Sequence, residues 1–275
     1  MNFPVIFNFT DYAQLIPLVT NSLIAGALLA IVGGLIGVFV NTRDMSFAVH
    51  GISELSFAGA AIALLFGASV ITGSVVGSLV AAIIIGALGS RAKDRNSIVA
   101  VLMPAGLGLG ILALALYPGR AANKFGLLTG QIVAVDSPQL IWLVSISGVV
   151  LVTLLLVWRP LTFASLDPEV AAARGVPTRA LSILFMLLLG LSVAVSVQIV
   201  GALLVLSLLV TPAAAALRVS SSPLITPLLS IAFAVTSVVG GILLALGAGL
   251  PISPYVTSVS FLIYVICRLI ERMRA

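Results

Sequence analysis

Charge is scarce in this chain. Only 8% of its 275 residues are Asp, Glu, Lys or Arg, 61% are hydrophobic, and the mean hydropathy is +1.31. A water-soluble domain of that composition has too little polar surface to cover itself. Cysteine occurs once, at Cys267, which excludes an intrachain disulfide and leaves a buried thiol or a palmitoylation site near the membrane face. No GxxxxGK[ST] phosphate loop exists, and the nearest stretch, GALGSRAK, has the wrong spacing. CxxC, HExxH and a serine-nucleophile elbow are missing as well. The chain is therefore expected to be no enzyme, and any ATPase that drives it must be another polypeptide.

Long apolar runs are what the sequence has in quantity. They reach roughly 18 to 25 residues, enough to cross about 30 Å of hydrocarbon. This predicts an all-α polytopic membrane protein of about 8 to 9 transmembrane helices, forming a single domain over 1–275. The runs fall at about 14–40, through His50 and Glu54, 69–90, 97–117, 138–158, twice within 180–217, 223–248 and 254–270. The pair within 180–217 is expected to turn near Val197 to Gly201. Pro104 and its neighbouring glycines predict a kink or break in the fourth run. The polar stretch from Tyr117 to Gln139 reads as an external loop with short helical or re-entrant pieces. MNFPVIFNFTDYAQ lacks a basic leader, so the first run is expected to remain as a span.

The net charge of +5 is spread between the runs and forms no patch, which argues against a nucleic-acid partner. With the N-terminus outside, all 13 Lys and Arg except Arg120 and Lys124 fall on the cytoplasmic side. That asymmetry obeys the positive-inside rule and sets orientation.

Against this background His50, the sole histidine, and Glu54 stand inside apolar sequence, SFAVHGISELSFAGAAIALLFG. An i, i+4 spacing puts both on one helix face. Ionisable groups in a span usually face a protein interior or a polar pathway. Imidazole beside carboxylate suits zinc, manganese or ferrous iron better than magnesium or calcium. Three readings stay open: a metal pathway, a structural pair in which Glu54 hydrogen-bonds His50, and a proton relay. Counting from Arg43 puts His50 near the cytoplasmic face, unless the helix starts deeper or the loop folds inward. Gln198, the other strongly polar side chain near a span, reads as a helix–helix hydrogen bond.

The segment RPLTFASLDPEVAAARGVPTRA is cytoplasmic. Asp167, Pro168 and Glu169 start a short helix, and Gly175 can end it. It is either a solvated connector or a docking element.

Three stretches resemble the permease subunits of bacterial ATP-binding-cassette importers for zinc, manganese and iron. From Gln198 to Ala216 the chain is similar to the family's Q-x-V-G-x-L-L-V…P-A-A segment, including Gly201 and Pro212. From Asp167 to Pro177 it is similar to the cytoplasmic D-P-x-x-A-x-x-x-G-[IV]-P segment, matched at Asp167, Pro168, Ala171 and Gly175. On the Met45–Gly59 helix the family usually carries D-x-x-x-H followed by Pro-Gly. Here His50 stands for the Asp, Glu54 for the His and Ala58 for the Pro.

The resemblance implies an ATP-driven importer subunit in the bacterial inner membrane that binds no permanent cofactor. His50 and Glu54 would line the pathway of a transported divalent metal, zinc or manganese. A coupling segment at about 160–180, including Glu169, would meet ATPase subunits that use the ATP. The expected partners are those ATPases, an extracytoplasmic metal-binding receptor and a second permease copy, a homodimer. The alternative is an ion-coupled secondary transporter with His50 and Glu54 as a proton relay.

Overall fold

Backbone N–H and C=O groups in hydrocarbon must pair within the segment, so apolar runs of this length become helices. A computed structural model describes residues 12–88, 92–119, 135–202, 204–246 and 252–274. Helical turns at Tyr12–Leu15 and Ile16–Val19 lead into α1 (Thr20–Thr42). Next come α2 (Ser46–Leu65), α3 (Val70–Leu88), α4 (Ala92–Leu116) and α5 (Ser137–Leu156). Two short helices follow, α6 (Trp158–Leu166) and α7 (Pro168–Ala173), before α8 (Thr178–Val200). The chain ends with α9 (Val205–Leu209), α10 (Thr211–Val219), α11 (Ile225–Ala245) and α12 (Ile252–Arg274).

Among the described residues eight helices are long and apolar enough to cross a membrane: α1 to α5, α8, α11 and α12. The ninth expected span, in the second half of 180–217, is a short broken helix. Its break at Val210 lies two residues before Pro212, whose ring nitrogen has no hydrogen to donate. Asn41 Nδ2 donates to the Val210 carbonyl (3.1 Å), so α1 holds the break. Before it, the expected turn falls at Gly201, whose φ of 82° and ψ of 156° are open essentially to glycine alone. The fifth run, expected over about 138–158, ends at Leu156, and Trp158 and Arg159 begin α6 after a break at Val157. Phe39 of α1 meets the Trp158 ring edge-on at 4.9 Å.

α1 to α5 and α8 alternate in direction, whereas α8 and α11 run the same way because the broken α9–α10 segment returns the chain to the end that holds Thr42, Ser165 and Ser222; the basic residues gather at that end. Arg43 in the α1–α2 turn donates from Nε to Ser165 of α6 (2.7 Å), and Arg218 of α10 and Arg268 of α12 share Glu271. By the positive-inside rule this end is cytoplasmic. Arg120, Lys124 and the expected re-entrant pieces of the external loop lie outside the described residues.

The spans pack through small residues. A Cβ on Gly59 of α2 would strike the Gly73 carbonyl of α3, and one on Gly77 the Leu55 carbonyl. Close approach of this kind gives dispersion contacts that lipid cannot supply. Ser56 and Ser74 hydroxyls pair at 2.7 Å, and Ser74 donates onward to the Ala194 carbonyl of α8 (3.2 Å), tying α2, α3 and α8 together. Cys267 is buried, as a plain thiol would be.

Candidate cation site on α2 and the cytoplasmic docking segment

The start of α2 is set by its neighbours. Asp44 takes φ 52°, a left-handed conformation that Asp tolerates, and reverses the chain after α1. Arg95 Nη2 donates to the carbonyls of Arg43 (3.0 Å) and Asp44 (3.2 Å), so α4 clamps the turn. The helix begins at Ser46, with no deeper start. At 1.5 Å per residue, His50 and Glu54 lie about 6 and 12 Å from its cytoplasmic end. Of the two alternatives the deeper start is not taken, and the turn before the helix is itself partly buried, with Arg43 half-buried and Met45 buried.

Glycines of α4 decide how closely α2 is held. A Cβ on Gly106 would lie 2.7 Å from Leu55 Cδ1 and 3.0 Å from the Glu54 carbonyl carbon, while Gly110 faces Phe57 and Ala58. Gly108, on the other side of the helix, has open space around it. The expected break at Pro104 is absent, since α4 continues from Ala92 to Leu116 with the proline inside. The glycines serve close approach, and neighbouring helices accommodate a proline within a span.

His50 and Glu54 share one face, as the spacing requires. The His50 side chain is 28% exposed and that of Glu54 6%, with Nε2 and Oε1 3.9 Å apart. That exceeds hydrogen-bond range, so the mutual bond of the structural-pair reading is not made. His50 Nδ1 and Glu54 Oε2 are both buried without a partner. Buried polar atoms are nearly always paired, and an orphan points to a missing water, ion or partner. Among the described residues no group of three or more His, Cys, Asp or Glu gathers that could hold a metal ion, so the α2 pair stands as two candidate ligands. Bonds of about 2.0 to 2.2 Å at a tetrahedral angle put nitrogen and oxygen about 3.3 Å apart. The 3.9 Å between Nε2 and Oε1 has to close by about 0.6 Å for those two atoms to share an ion, and the other imidazole nitrogen, Nδ1, still needs a partner of its own. α2 passes unbroken through Ala58, where the family pattern has proline.

The cytoplasmic segment at about 160–180 follows its sequence signals. Asp167 Oδ1 accepts from the Val170 N–H (3.0 Å), Pro168 fills the first helical position, and Gly175 at φ 81° ends the turn. Asp167, Pro168, Glu169 and Gly175 are exposed. Ala171, grouped with them from sequence, is fully buried and anchors α7 to its own chain. Gln198 Nε2 donates to the Ile71 carbonyl (3.3 Å), the helix–helix bond expected of it. Sequence reasoning missed Arg95 as the clamp of the α2 start, because its charge looked like all the other cytoplasmic arginines.

The sequence pattern of the ABC 3 transport family matches residues 15–271. The chain belongs to that family. It is 33% identical over 223 residues to the manganese transport system membrane protein MntC of Halalkalibacterium halodurans, covering 80% of this chain and 76% of the relative. It is 27% identical over 225 residues to the high-affinity zinc uptake system membrane protein ZnuB of Haemophilus influenzae, covering 82% and 86%. The solved structure of PsaBC from Streptococcus pneumoniae in complex with Fab has a TM-score of 0.83 at 26% identity, covering 93% of this chain and 94% of that one. A metal-chelate type ABC transporter in an inward-facing conformation, at 21% identity and TM-score 0.71, shares the fold. As an ABC 3 chain the protein is a multi-pass permease of the bacterial inner membrane, working with ATPase and substrate-binding partners. The ion-coupled secondary transporter loses its ground with that membership.

Proposed function

We propose that this permease imports a divalent transition metal, zinc ahead of manganese, and that His50 and Glu54 are ligands on its path. The carrying observation is the pair of buried, unpartnered atoms, His50 Nδ1 and Glu54 Oε2, on one face of α2. One imidazole brings nitrogen character that favours zinc, and one carboxylate keeps manganese in range. The names of MntC and ZnuB, given for manganese and zinc transport, support that class. Two ligands suit a transport site, which must release what it binds. Water or a second copy in a homodimer completes the coordination.

The whole chain works as one transmembrane domain without a nucleotide site of its own. The exposed Asp167, Pro168, Glu169 and Gly175, within a coupling segment at about 160–180, meet the ATPase. An extracytoplasmic receptor delivers the metal. The test is uptake by the reconstituted system with an ATPase-dead control. Zinc and manganese should compete for transport, and a block by excess magnesium of equal strength overturns the substrate class. Because a receptor can impose its own selectivity, Glu54→His is assayed with the same receptor; an unchanged metal ranking removes selectivity from α2.

A further inference from the structure

A second polar feature lies outside the α2 pair. At the cytoplasmic end, a cavity of about 650 Å³ opens among α3, α6, α8 and the α1–α2 turn. Arg43, Arg95 and Arg179 line it, together with the hydroxyl residues Ser165, Thr178 and Ser182. The arginines are poorly neutralised. Arg43 donates to the uncharged hydroxyls of Ser165 (2.7 Å) and Ser182 (3.3 Å), and its guanidinium lies 5.3 Å from the Phe185 ring centre. Burial first, then the nearby charge of Arg95, pulls Arg43 down to about 10, so it stays protonated at neutral pH beside a like charge.

Arg95 is 9% exposed, spends Nη2 on two carbonyls, and leaves Nε buried with no partner. Exposed Asp44 is the acidic group whose charge reaches it. Among the described side chains, no carboxylate stands within ion-pair distance of the three cavity arginines. Two partly desolvated guanidiniums with free donors form a site that attracts an oxyanion.

The surroundings indicate which oxyanion. Ile85, Ile183 and Met186 form part of the cavity wall, and exposed Ile83 and Leu88 continue the apolar surface along α3. The cavity thus joins a cationic floor to an apolar flank at the membrane's cytoplasmic surface. A lone carboxylate would leave most of it empty.

We propose that this cavity binds the phosphate of an anionic phospholipid headgroup from the inner leaflet. The guanidiniums take the phosphate oxygens, the Thr178 and Ser182 hydroxyls donate to the headgroup, and the acyl chains lie along α3 and α8. Basic pockets between spans on the cytoplasmic side recognise lipids by this combination. A bound lipid would brace the α1–α2 turn from which His50 and Glu54 are measured. The site does not depend on the metal reading.

The permease purified with its ATPase partner is titrated with phosphatidylglycerol and phosphatidylcholine, and bound lipid is counted by native mass spectrometry. A parallel arm adds millimolar inorganic phosphate. The wild type should retain phosphatidylglycerol over phosphatidylcholine, and Arg43→Gln and Arg95→Gln should each weaken its binding about fivefold. Arg272→Gln, in the exposed last turn, should leave it unchanged. Arg179→Gln should weaken it too, and this exposed position keeps the test alive if the inner variants fail to fold. Equal retention of both lipids overturns the proposal, as does wild-type retention by folded Arg43 or Arg95 variants. Displacement of phosphatidylglycerol by inorganic phosphate at equal affinity assigns the site to free phosphate and overturns the lipid source. Loss of ATPase affinity with unchanged lipid binding assigns it to a partner carboxylate and overturns it likewise.

Discussion

Glu54→Gln separates a transport ligand from a structural one. The substitution keeps shape and volume while removing the charge. Glu54 Oε2 is buried without a partner and Oε1 stands 3.9 Å from His50, so no protein hydrogen bond to either oxygen is lost. A buried charged group left unsatisfied costs about 1 to 3 kcal/mol or more, and the amide relieves the charge while adding two donors to house. The variant should therefore fold as well as wild type, with stability changed by less than about 1 kcal/mol or raised. Transport should respond in the opposite way. Even groups that only orient a metal ligand cost about 10- to 100-fold when removed, so loss of one of two side-chain ligands should reduce metal uptake by more than about 100-fold. The assay pairs metal uptake in proteoliposomes carrying the complete system with thermal unfolding of the purified chain. Wild-type uptake by a folded Glu54→Gln protein would refute the reasoning. Misfolding with uptake lost in proportion to protein level would make Glu54 structural.

Other expectations follow from the same geometry. Gly106→Val should separate α4 from Glu54 and Leu55 and destabilise by about 1 to 3 kcal/mol, whereas Gly108→Ala, with open space around it, should be near neutral; thermal unfolding of the two variants checks this. Glu169→Arg, on the exposed side of α7, should leave folding intact and loosen coupling, seen as a lower ratio of metal transported to ATP hydrolysed in vesicles. Tight, unchanged coupling counts against docking by this segment. His50 must be neutral to ligate, so uptake should fall as pH drops through the imidazole range, about 6.5 for a free side chain. His50→Ala should abolish uptake at every pH, and a residual pH dependence in that variant would place the titrating group elsewhere.

Several features of the site were legible before any fold was known. The i, i+4 spacing placed His50 and Glu54 on one face whatever packs against it, because helix periodicity is a property of the backbone. Asp167, Pro168 and Gly175 announced α7 for the same reason: capping and φ preference act within a few residues. The role of Ala171 was not legible. An exposed and a buried alanine look alike until the helix lies against α6 and α8, and here the methyl is fully buried. Nor were the glycines of α4, whose meaning depends on which of them faces α2.

Span length, helical state and orientation were determined by the sequence alone. Each rests on a local requirement: a backbone in lipid must satisfy its own hydrogen bonds, and arginine stays on the cytoplasmic side. The crossing count was less secure, since an apolar run of suitable length hid the break at Val210, which α1 secures through Asn41. Only the tertiary structure decided that Gly106 meets Glu54, that Arg95 clamps the carbonyls of Arg43 and Asp44, and that Glu54 and His50 leave each other unpaired. These pairings join residues up to about fifty positions apart or depend on side-chain placement within a packed face. They follow from how the helices cross, which small residues allow but no single segment specifies.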